Sequence, residues 1–162
     1  MYNIDERDRV VAIDTVPHAS TGSAEPRIVA DESTVALRYA TAESDQDEGD
    51  LGIQMAIVRF ESCWAHYFGS PNSEALHGHP LYGRGLTFYG IFEVLDSSWI
   101  RLMEKRNRVH QHHSPARYAE LRHFIFTFND STFECVAESV TSQTALWRDA
   151  EVLWVTILDR RR

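Results

Sequence analysis

Apolar and polar residues alternate most regularly in the segment HFIFTFNDSTFECVAESV, which spans residues 123–140. Alternation with a period of two is typical of β-strands that bury one face. Asn129 and Asp130 interrupt the alternation at its centre and suit a two-residue turn. The pattern therefore predicts a β-hairpin with Asn129 and Asp130 at its tip.

The turn fixes which residues of the two strands lie opposite each other. In this register the core face carries three phenylalanines and one cysteine: Phe124, Phe126, Phe133 and Cys135. On the other face Ile125 lies opposite Glu134, and His123 is diagonal to Glu134. A slip of one residue would mix apolar and polar side chains on both faces, so the alternation supports this register.

Four other segments have the composition of strands, namely residues 9–14, 27–41, 53–69 and 86–95. We expect the second to form two short strands around residues 31–33. The third is long enough that we expect a bend or a bulge. Its predicted faces place four aromatic or aliphatic side chains together, Val58, Phe60, Trp64 and Phe68. In the fourth, Gly90 interrupts a face made of Leu86, Phe88, Phe92 and Val94.

Helical spacing begins at Asp96 or Ser97, either of which can cap a helix. Its predicted apolar face contains Trp99, Leu102, Met103 and Val109. A second, short helix has Ser114 as N-cap and Pro115 in its first turn, with Tyr118 and Leu121 as its buried pair.

The C-terminal segment 142–161 fits a helix through Leu146, Ala150, Leu153 and Ile157, although residues 151–158 alone suit a strand equally well. Together these elements predict one α+β domain over residues 1–162. Its core is a mostly antiparallel sheet or a partly open barrel of about six strands, with two or three helices.

The net charge of the chain restricts the classes of partner that it can bind. Sixteen basic and 24 acidic residues give a net charge of −8, which lacks the basic footprint of a nucleic-acid-binding surface. Part of the acidity is concentrated at residues 41–52, which we expect to form a mobile acidic loop. The two cysteines, Cys63 and Cys135, lie in apolar runs and predict buried thiols in a reducing compartment. With no apolar segment of membrane-spanning length and no signal peptide, we expect a cytoplasmic protein.

The loop EALHGHPLYGRG, residues 74–85, combines groups that suit a binding site. His77 and His79 would point to the same side of an extended segment and could share a metal ion. In the cupin pattern a carboxylate follows such a histidine pair, whereas here Arg84 stands near that position. A guanidinium beside a divalent cation is unfavourable, so Arg84 makes a metal ion less favourable here and an anionic ligand more so.

An acid–base site explains these residues better. His77, His79 and His110 are the candidate acid–base groups, and Glu74 would orient them. Arg84 would bind an anionic substrate group. The remaining candidate substrate-binding residues are Asn72, Tyr82, His112 and Glu134. The resulting hypothesis is a protein that binds a small anionic molecule, with cofactor-independent proton transfer of the lyase, isomerase or hydrolase type if it is an enzyme.

Two alternatives stay open at this level. One is a protein-binding or regulatory module, with Trp147, Trp154 and the acidic loop facing a partner or a second copy in a homodimer. The other is a metalloprotein that uses three histidines, for which the HQHH segment at residues 110–113 supplies candidates. The acid–base hypothesis itself includes no metal and no cofactor.

Several segments together resemble a group of small bacterial proteins of uncharacterised function. They are GSPNSEALHGHPLYGRGL, SSWI, NRVHQHH and RHFIFTFNDSTFECVA, together with PHASTG nearer the N-terminus. The resemblance as a whole extends over about two-thirds of the chain. The resemblance implies neither an activity nor a cofactor, and it assigns no role to any residue.

Overall fold

A computed structural model of the chain describes residues 2–43 and 52–159, with the backbone alone at residues 155, 158 and 159. The predicted acidic loop lies mostly outside these residues. The strands of the described part are β1 (Arg9–Ala12), β2 (Arg27–Ala30), β3 (Thr34–Ala40), β4 (Gln54–Glu61), β5 (Ala65–Gly69), β6 (Ile91–Leu95), β7 (Arg122–Thr127), β8 (Thr132–Ala137) and β9 (Ser139–Leu146). The α-helices there are α1 (Ser98–Asn107), α2 (Ala116–Ala119) and α3 (Trp147–Asp159), and 3-10 segments span Ser73–Gly78 and Tyr82–Arg84.

The strands form two antiparallel sheets that are not closed into a barrel. Sheet 1 has the order β1-β6-β7-β8-β5, and sheet 2 has the order β2-β3-β4-β9. The predicted α+β class with antiparallel strands is confirmed. The nine described strands exceed the predicted six because the segment 53–69 supplies two strands and the C-terminal region contributes β9 before its helix.

The main core lies between the two sheets. Sheet 1 contributes the phenylalanines of the β7–β8 hairpin, and sheet 2 contributes Phe60 with its aliphatic neighbours. The ring of Phe60 lies 5.7 Å from Phe124 and 5.3 Å from Phe133, in tilted arrangements. Such aromatic pairs add to the gain from apolar burial.

The β7–β8 hairpin has the predicted register. Phe126 pairs with Phe133, Phe124 with Cys135 and Ile125 with Glu134. The amide of Phe128 donates to the carbonyl oxygen of Ser131, which closes the turn around Asn129 and Asp130. Glu134 and His123 therefore face away from the main core, on the outer face of sheet 1.

The long predicted strand 53–69 changes sheet instead of merely bending. β4 belongs to sheet 2 and β5 to sheet 1, with the chain turning at Ser62, whose φ is 50°. Because of this turn the predicted face is wrong at Trp64. Cys63 packs in the main core, whereas Trp64 packs outside it against Tyr118.

The outer face of sheet 1 is covered by α1 and by residues 76–86. Leu76, Leu81 and Leu86 pack there with Phe92 and Ile125. Of the predicted apolar face of residues 86–95, Phe88 is an exception because it is 40% exposed outside the strand. The predicted N-cap Ser97 of α1 is confirmed, but Val109 lies beyond the helix and is exposed.

Residues 147–159 are helical, which decides between the helix and strand alternatives, but the predicted helix is wrong at residues 142–146, which belong to β9. The helix α3 covers sheet 2 with two tryptophans. Trp147 and Trp154 lie over the buried guanidinium of Arg38, at 5.2 and 5.5 Å from the ring centroids. Trp154 is therefore buried, and the prediction that it is exposed to a partner is wrong.

The short helix α2 follows Pro115, and Tyr118 and Leu121 are both buried as predicted, although Leu121 lies two residues beyond the helix. No side chain caps it, so the predicted capping role of Ser114 is not present. In the part of the chain that the structure describes, no helix is both long enough and apolar enough to span a membrane.

Candidate functional site

A buried carboxylate, Glu134, is the centre of a hydrogen-bonded cluster on the outer face of sheet 1. Its Oε1 lies 3.0 Å from Nε2 of His79, and its Oε2 lies 3.1 Å from Nε2 of His123. The hydroxyl of Tyr2 donates to Oε2 at 2.7 Å. Glu134 is only 1% exposed, so its charge is compensated by these contacts and not by solvent.

The loop around His79 delivers that side chain to the cluster. Asn72 caps the 3-10 segment Ser73–Gly78 by accepting from the amide of Ala75. Leu76 and Leu81 then anchor the loop on the sheet, and His79 between them points inward. The amide of Leu81 donates to Nδ1 of His79, so Nε2 carries the proton and donates to Glu134. Both nitrogens of this neutral imidazole are thus engaged within the protein.

His123 extends the cluster to the start of α1. Its Nδ1 lies 2.9 Å from Oγ of Ser97, which also accepts the amide of Ile100 as the helix N-cap. Because the ionised carboxylate of Glu134 can only accept, Nε2 of His123 donates to it. The hydroxyl of Ser97 can donate to Nδ1, so the neutral form of His123 satisfies every one of these bonds.

The ionised state of Glu134 follows from these donors. Burial by itself raises the pKa of the carboxyl, but the hydrogen bonds from His123 and His79, together with the positive charge that these imidazoles carry when protonated, outweigh it and lower the pKa to about 2. Burial and the neighbouring Glu134 charge raise the pKa of the Tyr2 hydroxyl, which keeps that group a neutral donor. Glu134 is therefore a permanent buried anion near neutral pH.

A pocket of about 280 Å³ opens onto Glu134 between β5, β8, α1 and the N-terminal segment. Three aromatic residues line it, Tyr2, Tyr67 and Trp99, and Arg106 and His66 complete its wall. The rings of Tyr2 and Trp99 stack at 5.1 Å, and both contact the His123 ring edgewise. The cluster is thus the floor of an aromatic pocket; we name it the Glu134 pocket.

The structure brings together two of the site residues that the sequence suggests, His79 and Glu134. His77 and Glu74 lie on the exposed side of the same loop. The ring of His77 lies edgewise to that of Tyr82, with 6.4 Å between their centroids. Asn72 serves as the cap of the 3-10 segment. These four residues therefore lie outside the cluster.

The other suggested residues lie elsewhere. Arg84 ends the second 3-10 segment, half-buried, and does not line the Glu134 pocket. His110 and His112 are exposed beyond α1, with their rings 5.8 Å apart. In the described ranges 2–43 and 52–159, no group of three or more His, Cys, Asp or Glu side chains is arranged to hold a metal ion.

Sequence reasoning did not select Tyr2, Ser97, His123 and Arg106 as site residues. The hairpin register did contain a signal for His123, since it places His123 and Glu134 on one face. Tyr2 had none, because its contact with Glu134 joins positions 132 residues apart.

No family model, curated protein or solved structure matches the chain.

Proposed function

We propose that the protein binds a small organic cation in the Glu134 pocket, with the ammonium group of the ligand directed at Glu134. The proposal is again a small-molecule site, as inferred from residues 74–85, but its centre is Glu134 on the outer face of sheet 1. Arg106, at the wall of the pocket, takes the anion-binding role that the sequence suggested for Arg84.

The observation that carries the proposal is a buried carboxylate whose protein partners can all be neutral. The tautomer of His79 is neutral, Tyr2 keeps its proton, and Ser97 satisfies the neutral form of His123. No lysine or arginine forms an ion pair with Glu134 within residues 2–43 and 52–159. These donors hold the charge without a Lys or Arg counterion, so a cationic ligand adds an opposite charge, and burial strengthens that attraction.

The carboxylate also has capacity left for a ligand. Its Oε2 accepts from Tyr2 and His123, whereas Oε1 accepts from His79 alone in the described part of the chain. A carboxylate oxygen accepts about two hydrogen bonds, so Oε1 can receive one more. Oε1 is therefore the atom to which a protonated amine such as ethanolamine donates, whereas a quaternary ammonium is attracted to the same carboxylate charge without a hydrogen bond.

The walls of the pocket suit the same class of ligand. Tyr2, Tyr67 and Trp99 present aromatic surface around the carboxylate, and aromatic faces attract organic cations. A volume of about 280 Å³ accommodates a small head group rather than a large cofactor. Because both nitrogens of His79 are engaged, His79 positions Glu134 and has no free nitrogen for a substrate proton. The geometry thus favours recognition over proton transfer.

The test is a calorimetric titration of the full chain with choline and with ethanolamine, compared with 3,3-dimethylbutanol, the neutral isostere of choline. We expect at least one of the two cations to bind at least tenfold more tightly than the alcohol, a difference of about 1.4 kcal/mol. Equal affinity for the cations and the alcohol overturns the proposal.

Two pocket variants and one control variant test whether the cation binds in this pocket. Glu134→Gln should abolish the preference for the cation, whereas Glu138→Gln, on an exposed residue near the end of the same strand, should leave it unchanged. Since Glu134→Gln also affects folding, Tyr67→Ala provides an independent test at a wall residue that is 36% exposed. Tyr67→Ala should weaken cation binding about fivefold without unfolding the protein. Unchanged binding in both pocket variants overturns the assignment.

A further inference from the structure

A second pocket, of about 420 Å³, lies beside the Glu134 pocket along α1 and the N-terminal segment. Four basic residues line it: Arg7, Arg101, Lys105 and Arg106. Asn3, Asp5 and Ser98 line it as well. We name it the basic pocket. It is a local excess of positive charge on a chain whose net charge is −8.

Helix periodicity explains how one face of α1 serves both pockets. Ser98, Arg101 and Lys105 are three and four positions apart, so they lie on the same side of the helix. Leu102 and Arg106, one turn apart on the adjoining side, line both pockets. The two pockets therefore share a wall, and one molecule can reach both.

The ion pairs of the basic pocket do not neutralise all of its positive charge. Asp5 accepts from Arg7 at 3.0 Å and lies 2.7 Å from Arg101. Lys105 and Arg106 form no ion pair within the described residues. Their charges are available to a bound anion.

Two buried donors point to the same conclusion. The hydroxyl of Ser98, a residue only 6% exposed, has no hydrogen-bond partner in the described structure, and neither has Nη1 of Arg101. The nearby carboxylate of Asp8 already accepts from the backbone amides of Ser98 and Asp5. Buried polar groups are normally paired, so the missing groups here are acceptors. A ligand with anionic oxygens supplies them.

We propose that the basic pocket binds an anionic oxygen group, phosphate or carboxylate, of the same ligand whose ammonium group meets Glu134. This inference rests on the proposed function and names its ligand class, a zwitterion. The ammonium lies among Tyr2, Tyr67 and Trp99 in the Glu134 pocket, and the anion lies between Lys105 and Ser98.

The experiment compares three ligands that share the same ammonium group, choline, phosphocholine and carnitine, by calorimetric titration of the full chain. At least one of the two zwitterions should bind about tenfold more tightly than choline. A gain with phosphocholine alone identifies a phosphate ester, and a gain with carnitine alone identifies a carboxylate. No gain with either zwitterion overturns the inference but leaves the proposed function standing. If none of the three binds, the inference is overturned, and the proposed function is overturned with it when ethanolamine also binds no more tightly than 3,3-dimethylbutanol.

Variants of residues that line only the basic pocket test whether this pocket causes the higher affinity for the zwitterion. Lys105→Gln and Ser98→Ala change residues that do not line the Glu134 pocket, so choline should bind each variant as it binds the wild type. Each should lose most of the extra affinity for the zwitterion. Arg148→Gln removes an exposed charge on α3 and should retain that gain. Retention of the full gain in Lys105→Gln and Ser98→Ala overturns the inference.

Discussion

Nε2 of His79 donates to Oε1 of Glu134 at 3.0 Å, across 55 positions of sequence. This bond ties the 73–86 loop to the centre of sheet 1 and supplies the only protein donor to Oε1 among the described residues. It makes His79 a positioning residue for the carboxylate that the proposed ligand meets.

Removing the imidazole of His79 should therefore destabilise the fold. His79→Ala leaves a buried carboxylate oxygen without its donor, and we expect a loss of about 3 kcal/mol in the free energy of unfolding. Urea denaturation followed by circular dichroism measures it. His77→Ala, on the exposed side of the same loop, should change that free energy by less than about 0.5 kcal/mol. Equal effects of the two substitutions would contradict this role of His79.

His77 and His79 point in different directions, which the sequence did not predict. The expectation that both point to one side assumed an extended segment. Residues 73–78 instead form a 3-10 helix that ends just before His79. Two residues of such a helix turn the side chain through roughly 240°, so the pair diverges. The choice between helix and strand here depends on how three leucines pack on sheet 1, which is a tertiary effect.

The parts that could be predicted depend on local periodicity. The register of β7 and β8 follows from alternation, and it already placed His123 and Glu134 on one face. Ser97 as the cap of α1 follows from its residue type and position. Contacts between distant segments, such as Tyr2 with Glu134, have no local signal. The hairpin pattern therefore predicts that His123 and Glu134 lie together, whereas the contact of Tyr2 with Glu134 depends on the tertiary fold.

Ser97 links helix capping to the cluster. Ser97→Ala removes the cap of α1 and the Nδ1 partner of His123, and we expect a loss of about 2 kcal/mol in the free energy of unfolding. Thermal and urea denaturation measure this loss. Ser114→Ala is the matched control, because α2 has no side-chain cap, and should cost less than about 0.5 kcal/mol. A loss as small for Ser97→Ala would show that the cap contributes little.

Two glycines of the 73–86 loop should differ in their tolerance of a side chain. Gly85 has a φ of 111°, and an added Cβ would lie 2.7 Å from the carbonyl oxygen of Val10. Gly85→Ala should therefore cost about 2 kcal/mol of stability. Nothing lies within 4 Å of a Cβ added at Gly78, so Gly78→Ala should be neutral within about 0.5 kcal/mol. Urea denaturation of the two variants tests the difference, and similar values would contradict it.

The guanidinium of Arg38 is 1% exposed, pairs with Glu151 and lies between two tryptophans of α3. Glu151→Gln removes its counterion, and we expect a loss of about 2 kcal/mol, since Glu151 is partly exposed. Adding Arg38→Met should recover part of that loss, because no buried charge is then left unpaired. Urea denaturation of the single and double variants measures the recovery. A double variant less stable than Glu151→Gln would contradict this account.

The stability of the fold should fall with pH as Glu134 becomes protonated. The pKa of Glu134 is lowered from 4.5 to about 2 in the folded state, so the unfolded chain takes up the proton first as the pH falls. The stabilising contribution of the ionised carboxylate is complete above about pH 4.5 and is lost as the pH falls toward 2. Asp5 and Glu104 also have lowered pKa values and add to the slope in the same direction. We therefore expect the difference in free energy of unfolding between the wild type and Glu134→Gln to shrink over this range. Urea midpoints at half-unit pH steps measure it, and a constant difference would show that Glu134 is already protonated in the folded state.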